Sequence, residues 1–188
     1  MIGFALCGSF CTVSRALSEM ERLAARYPVQ GIVSEHVFMT DTRFGKAADT
    51  LEHIKRITGR AVIHDLVGAE PLGPTAPLEA LVICPCTGNT LAKMANGITD
   101  TAVTMAAKAH LRSNRPVVIA LASNDALSSN LKNIGEMITR KHVYFVPMMQ
   151  DDPDKKPHSL VADFTLLPAT LEAALCGKQY QRLFQTPN

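Results

Sequence analysis

Residues 116–122 read Pro-Val-Val-Ile-Ala-Leu-Ala, and no polar side chain appears until Ser123. A strand apolar on both faces needs cover on both faces, which a parallel sheet between two helical layers provides. Ile2–Cys7, Gln30–Val37 (ending near Ser34 or Val37), Ala61–His64, Leu81–Cys84 and Val143–Val146 are further short strand candidates. Between them apolar residues recur at helical spacing: Val13, Ala16, Leu17, Met20, Leu23 and Ala24; then Ala48, Leu51, Ile54 and Ile57; later Leu127, Leu131, Ile134 and Ile138. Asn89–Ala95, Thr101–Arg112 and Pro168–Leu175 also read as helices, and Gly59 and Gly177 stand where helices stop. Gly68–Pro77, with two glycines and three prolines, and the charged stretch Asp151–His158 read as loops.

Strand–helix alternation of this kind predicts a three-layer α/β fold, Rossmann-like or flavodoxin-like, with a mostly parallel sheet. The expected strand order is 3-2-1-4-5-6, in one domain over residues 1–188. In that order strands one and four are neighbours whose chains leave in opposite directions. Ligands bind at such a switch point, outside the carboxyl ends of the strands.

Composition removes several function classes. The net charge of +2 and the lack of a basic run argue against nucleic acid. No apolar run approaches the roughly 20 residues of a membrane span. The start, Met-Ile-Gly-Phe-Ala-Leu-Cys-Gly, has no positive region and reads as a strand rather than a secretion signal. Five cysteines in a chain of 188 residues make a disulfide framework improbable and a reducing cytoplasm the expected home.

Three segments meet at the expected switch point. Gly8-Ser9 separates strand one from helix one, where free N–H groups and the helix dipole favour a phosphate. The G-x-G-x-x-G pattern is absent, so one phosphate is expected rather than a pyrophosphate; a plain structural turn is the alternative. Pro85-Cys86-Thr87-Gly88-Asn89-Thr90 follows a buried strand and opens a helix. It can wrap a flat ring with backbone groups, or it can be a helix cap by Thr87 or Asn89. Ala122-Ser123-Asn124-Asp125 follows strand five and offers Asn124 and Asp125 for substrate polarisation or proton handling, again with a cap as the alternative. Cys7, Cys11, Cys84 and Cys86 lack C-x-x-C spacing, and no metal site is assigned. The six histidines form no ligand-spaced pair. Arg43, Lys155 and Lys156 lie in expected loops, where they are read as solvated charges, with contact to an acidic substrate as the alternative.

Gly8-Ser9 together with the run from Pro85 to Thr101 resembles the flavoprotein family that includes the homo-oligomeric flavin-containing cysteine decarboxylases. Its signature is a Pro-Ala-Ser-Ala-Asn-Thr segment leading into a helix and then Asn-Gly-Ile-Ala-Asp. Thr87 stands at the signature serine, and Asn89-Thr90 at its Asn-Thr. The resemblance implies bound flavin mononucleotide (FMN), with the phosphate on Gly8, Ser9 and Ser34. The ring would lie against Cys86, Thr87, Gly88, Asn89, Thr90, Ala122 and Ser123. It also implies a homo-oligomer, a trimer or larger, with Pro147-Met148-Met149 near a subunit contact.

Asp41–Gly45, Ala69–Pro74, Asn114–Val118, Asn124–Leu127 and Gln150–Pro157 are similar to a two-subunit branch of that family. Members of the branch work during sporulation, in the cytoplasm of the mother cell. They form an aromatic pyridine dicarboxylate from a dihydro precursor, beside a second subunit that resembles an NAD(P)-dependent dehydrogenase. The decarboxylases carry Pro-x-Met-Asn-x-x-Met-Trp where this chain has Ala120–Leu127, and Trp is absent throughout. That departure argues against cysteine decarboxylation. The expected function is therefore an oxidoreductase subunit. The alternatives are a non-catalytic subunit that activates the dehydrogenase-like one, and an enzyme of the decarboxylase or flavin-prenyltransferase kind.

Overall fold

Strand β4 (Val117–Ser123) is buried at every position and lies inside the sheet, where its apolar sequence requires it to be. The computed structural model describes residues 1–73, 75 and 78–185. β1 (Ile2–Leu6) pairs in parallel with β2 (Val29–Val33) on one side and with β3 (Ala80–Cys86) on the other. β3 pairs in parallel with β4, and Val117–Ile119 of β4 pair with β5 (Val143–Phe145). Helices α1 (Val13–Ala24), α3 (Ala47–Thr58) and α8 (Leu167–Leu175) cover one face. Helices α5 (Gly88–Ala95), α6 (Ala102–Arg112) and α7 (Leu131–Ile138) cover the other.

The expected strand order holds, with local changes. Ala61–His64 contributes a single bridge, Ile63 to Ile32. The chain then turns into α4 (Leu66–Ala69), because Asp65 caps that helix by accepting from the Gly68 N–H at 2.7 Å. The second strand ends at Val33, beside the nearer of the two expected ends, Ser34, and short of Val37. Its last rung is Ser34 N–H to Leu6 O at 2.9 Å, and β1 offers nothing beyond. The chain instead coils into α2 (Glu35–Met39), with Ser34 as its extended N-cap.

Two short strands escaped the periodicity. β6 (Met148–Met149) and β7 (Leu160–Ala162) pair antiparallel, and β7 pairs antiparallel with Ala122 and Ser123 of β4. Met148 is fully buried and Pro147 is buried too, so of the expected contact segment Pro147-Met148-Met149 only Met149, half-buried, reaches the surface. The edge at β5 is closed by a side chain: Gln179 accepts from the Phe145 N–H at 2.8 Å and donates to the Phe145 carbonyl at 2.7 Å. That amide stands in for a neighbouring strand.

α6 carries one costly group. His110 is 1% exposed, and neither ring nitrogen makes a hydrogen bond of normal geometry. Burial pushes its pKa down to about 4; the nearby Pro116 carbonyl opposes this and the Arg115 charge adds to it. The unfolded chain takes up this proton near pH 6.5 and the folded chain only near 4. Stability from this residue is therefore complete above pH 6.5 and falls as pH drops toward 4. Urea unfolding of the wild type should lose on the order of 2–3 kcal/mol across that window. His110→Met should flatten the slope there.

Candidate functional site

β1 and β3 lie side by side, and the chain leaves β1 toward β2 and β3 toward β4. Two depressions open at their carboxyl ends. The larger, about 790 Å³, is walled by Gly8, Ser9, Thr87, Gly88, Asn89, Ala122, Ser123, Asn124 and Asp125, together with residues of α1 and of the loop before β7. The smaller, about 320 Å³, is lined by Ser34, Glu35, His36, Thr90, Lys93, Asp100 and Thr101. Gly8, Thr87 and Asn89 belong to both, so the two form one groove with a shared wall. Eleven of the twelve residues singled out from the sequence thus line the groove. Cys86 does not: it is fully buried.

The β1 end is a tight turn. Ser9 N–H donates to Cys7 O at 2.8 Å, and Thr12 Oγ1 donates to Ser9 O at 2.8 Å and to Ser9 Oγ at 3.1 Å. The Ser9 amide is therefore used within the turn. The Gly8 N–H has no acceptor among the described residues. Ser34 Oγ is buried without a hydrogen-bond partner among the described residues, on the wall of the smaller depression. A buried hydroxyl without a partner carries a desolvation cost that a bound acceptor removes.

At the β3 end, Thr87 is the cap of α5. Its Oγ1 accepts from the Thr90 N–H at 3.3 Å, and Thr90 Oγ1 donates to Cys7 Sγ at 3.3 Å. Burial raises the Cys7 pKa to about 11 and raises Cys84 and Cys86 well above the ordinary thiol value. These cysteines are protonated packing groups at neutral pH. The Asn89 side chain is exposed and makes no hydrogen bond among the described residues, leaving its carboxamide free.

The bend after β4 is organised by Asp125. Oδ1 accepts from Ser123 Oγ at 2.5 Å; Oδ2 accepts from Asn130 Nδ2 at 2.8 Å and from Ser129 Oγ at 3.2 Å. Asn133 Nδ2 extends the chain by donating to Asn130 Oδ1 at 2.8 Å. The Ser123 bond, with those from Asn130 and Ser129, holds the Asp125 pKa below its usual value against partial burial. Asp125 thus has two oxygens bonded and a weak appetite for protons, which suits proton handling, one of the two roles offered for Asn124 and Asp125, poorly. Asn124 is exposed, with no internal partner among the described residues.

Gly88 presses the first turn of α5 against this bend. A β-carbon there would overlap Ser123 Oγ and approach Asn130 Nδ2 to 2.6 Å and Asp125 Oδ1 to 2.8 Å. Only glycine lets the second and third segments touch. Two further residues stand on the cleft wall: Arg15, which had no reading from the sequence, and Lys156, expected as a loop charge. Arg15 lies in the first turn of α1, and Lys156 lies in the loop before β7, its Nζ 2.7 Å from Asp151 Oδ2. A cation in a helix's first turn opposes the dipole, which was the available signal for Arg15.

The chain belongs to the Flavoprotein family, whose model matches residues 1–159. Among its relatives is the B subunit of dipicolinate synthase from Bacillus subtilis (strain 168), 46% identical over 181 residues, 96% of this chain and 90% of the relative. The crystal structure of the corresponding B subunit from Bacillus halodurans C superposes with a TM-score of 0.91 at 45% identity, covering 100% of this chain and 96% of that one. The FMN-dependent cysteine decarboxylase SpaF shares the fold at a TM-score of 0.68 and 22% identity, over 93% of this chain and 94% of its own.

Gly88→Ala should destabilise the protein by about 1–3 kcal/mol through overpacking. Asp125→Asn should cost about 1–3 kcal/mol at pH 7 by replacing a charged acceptor. A carboxylate with a depressed folded pKa stabilises above its unfolded value, near 4, and loses that contribution as pH falls through the folded one. The gap between wild type and Asp125→Asn in denaturant unfolding should accordingly narrow below about pH 4.

Proposed function

We propose that this chain binds FMN in the groove at the β1/β3 switch point. In this reading it is the flavin-carrying subunit of a dipicolinate synthase, acting as one domain in a homo-oligomer of three or more copies. Its reaction removes two electrons and two protons from a dihydrodipicolinate-type dicarboxylate to give the aromatic pyridine dicarboxylate during sporulation. The likeness to two proteins of that name, at 46% and 45% identity over nearly the whole chain, supports the subunit role. The cofactor reading is carried by Ser34, a buried hydroxyl with no partner among the described residues, on the wall of a pocket of about 320 Å³.

The chain's own groups divide the work. Ser34 Oγ and the Gly8 N–H hold the phosphate, and Ser9 shapes the turn that presents Gly8. Thr87, Gly88, Asn89, Ala122 and Ser123 wall the ring, with the Asn89 carboxamide as the free polar contact. Asn124 polarises the substrate. Asp125 acts through Ser123 and Asn130 as a positioning residue and keeps its charge at neutral pH. The chemistry a bound flavin supplies is acceptance of the two electrons.

One observation favours a second reading, a non-catalytic subunit that activates an NAD(P)-dependent partner subunit. Both carboxylates on the larger cleft, Asp125 and Asp151, are engaged by internal donors, so neither is a free base. Flavin binding separates the two readings. Titration of the purified protein with FMN, followed by flavin fluorescence, should saturate at one FMN per chain. Ser34→Ala should weaken binding by about tenfold, while the flavin-free variant is as stable as wild type or slightly more so, because a buried unpaired hydroxyl has been removed. Absence of binding to wild type, or an unchanged affinity in Ser34→Ala, contradicts the cofactor reading.

A further inference from the structure

The larger cleft has charge that the cofactor reading leaves unused. Arg15 is exposed on its wall, and no carboxylate lies within 4 Å of its guanidinium among the described residues. Glu19, one helical turn further on, is buried and holds Arg22 at 2.9 Å instead. The Arg15 guanidinium lies over the ring of Phe164, 5.1 Å from the centroid, and Phe164 is itself 1% exposed. A buried ring therefore presents one face to the cation and limits where it can go. The position is unfavourable for the helix alone, since a cation in the first turn of α1 meets the positive end of the dipole.

Lys156 reaches the same cleft from the loop before β7. Asp151 Oδ2 holds its Nζ at 2.7 Å, which orients the ammonium and leaves further N–H donors free. The loop itself is anchored to the β4 bend by the Leu127 N–H, which donates to His158 O at 2.9 Å. The acids on the wall, Asp125 and Asp151, already have donors of their own. What remains is one uncompensated guanidinium, a tethered ammonium beside a paired acid, and the free carboxamide of Asn124.

We propose that Arg15 and Lys156 form a carboxylate-recognition subsite in the larger cleft, which takes a small planar dicarboxylate and holds it against the ring-binding wall. The identification of that ligand as a pyridine-type diacid rests on the function proposed above; the anion subsite itself rests on the cleft. Arg15 makes the paired contact that a planar guanidinium gives a carboxylate, and Lys156 supplies a point charge. Through these two residues the subsite selects diacids over neutral rings of the same outline.

The test is a calorimetric titration of the full-length protein, with and without FMN, using pyridine-2,6-dicarboxylate and the uncharged pyridine-2,6-dicarboxamide. Wild type should bind the diacid at least about tenfold more tightly than the diamide. Arg15→Gln should lose about tenfold or more of the diacid affinity and keep its FMN affinity within about twofold. Arg15→Lys, which keeps the charge without the planar fork, should fall between them. Equal binding of diacid and diamide, or diacid affinity unchanged in Arg15→Gln, overturns the subsite. If wild type binds no FMN, the cofactor reading fails alone: the flavin-free titration still decides for the subsite if Arg15→Gln loses the diacid and against it if no diacid binds.

Discussion

Side-by-side pairing of β1 with β3 forces the chain to leave two adjacent strand ends in opposite directions, and the groove exists because of that divergence. The divergence alone would leave a loose gap. Gly88 removes the slack, because without a side chain the first turn of α5 sits directly on the polar bend after β4. Asp125 holds that bend in one shape by gathering donors from Ser123, Ser129 and Asn130. One missing β-carbon thereby couples the segment after β3 to the segment after β4.

Hydrogen bonding around the groove is uneven. The framework is internally satisfied: Thr87 caps α5, Thr90 bonds to Cys7, and Asp125 has its donors. Four groups on the groove walls have no hydrogen-bond or ion-pair partner among the described residues: Ser34 Oγ, the Asn89 and Asn124 carboxamides, and the Arg15 guanidinium. Rigid, satisfied elements with unsatisfied groups facing one cavity are the arrangement that preorganised binding requires. Three thiols near the same strand ends take no part, since burial keeps them protonated.

The fold was legible because its strands carry the constraint in their own composition. β4 has no polar residue before Ser123, and its neighbours alternate with amphipathic helices. The groove was legible at segment level, because breaks after apolar strands fall at carboxyl ends by construction. Elements defined by long-range pairing were not. β6 and β7 are two and three residues long, and only antiparallel pairing, of β7 with Ala122 and Ser123 and of β6 with β7, makes them strands. With them went Lys156, a loop charge in the sequence but a wall of the cleft in the fold. Asp125 stood as a candidate for proton handling because local sequence does not reveal that Ser123, Ser129 and Asn130 all donate to it. Cys86 sat beside Thr87–Thr90, which face the groove, yet strand β3 extends through it and buries it.

The account stands on the groove's accepting an anionic mononucleotide, and amide hydrogen exchange with and without FMN tests that most directly. FMN should slow exchange at Gly8, at the Glu35–Val37 amides beyond Ser34, and in the Thr87–Thr90 turn together, while the far ends of the strands are unchanged. No protection, or protection confined to another face of the sheet, contradicts it.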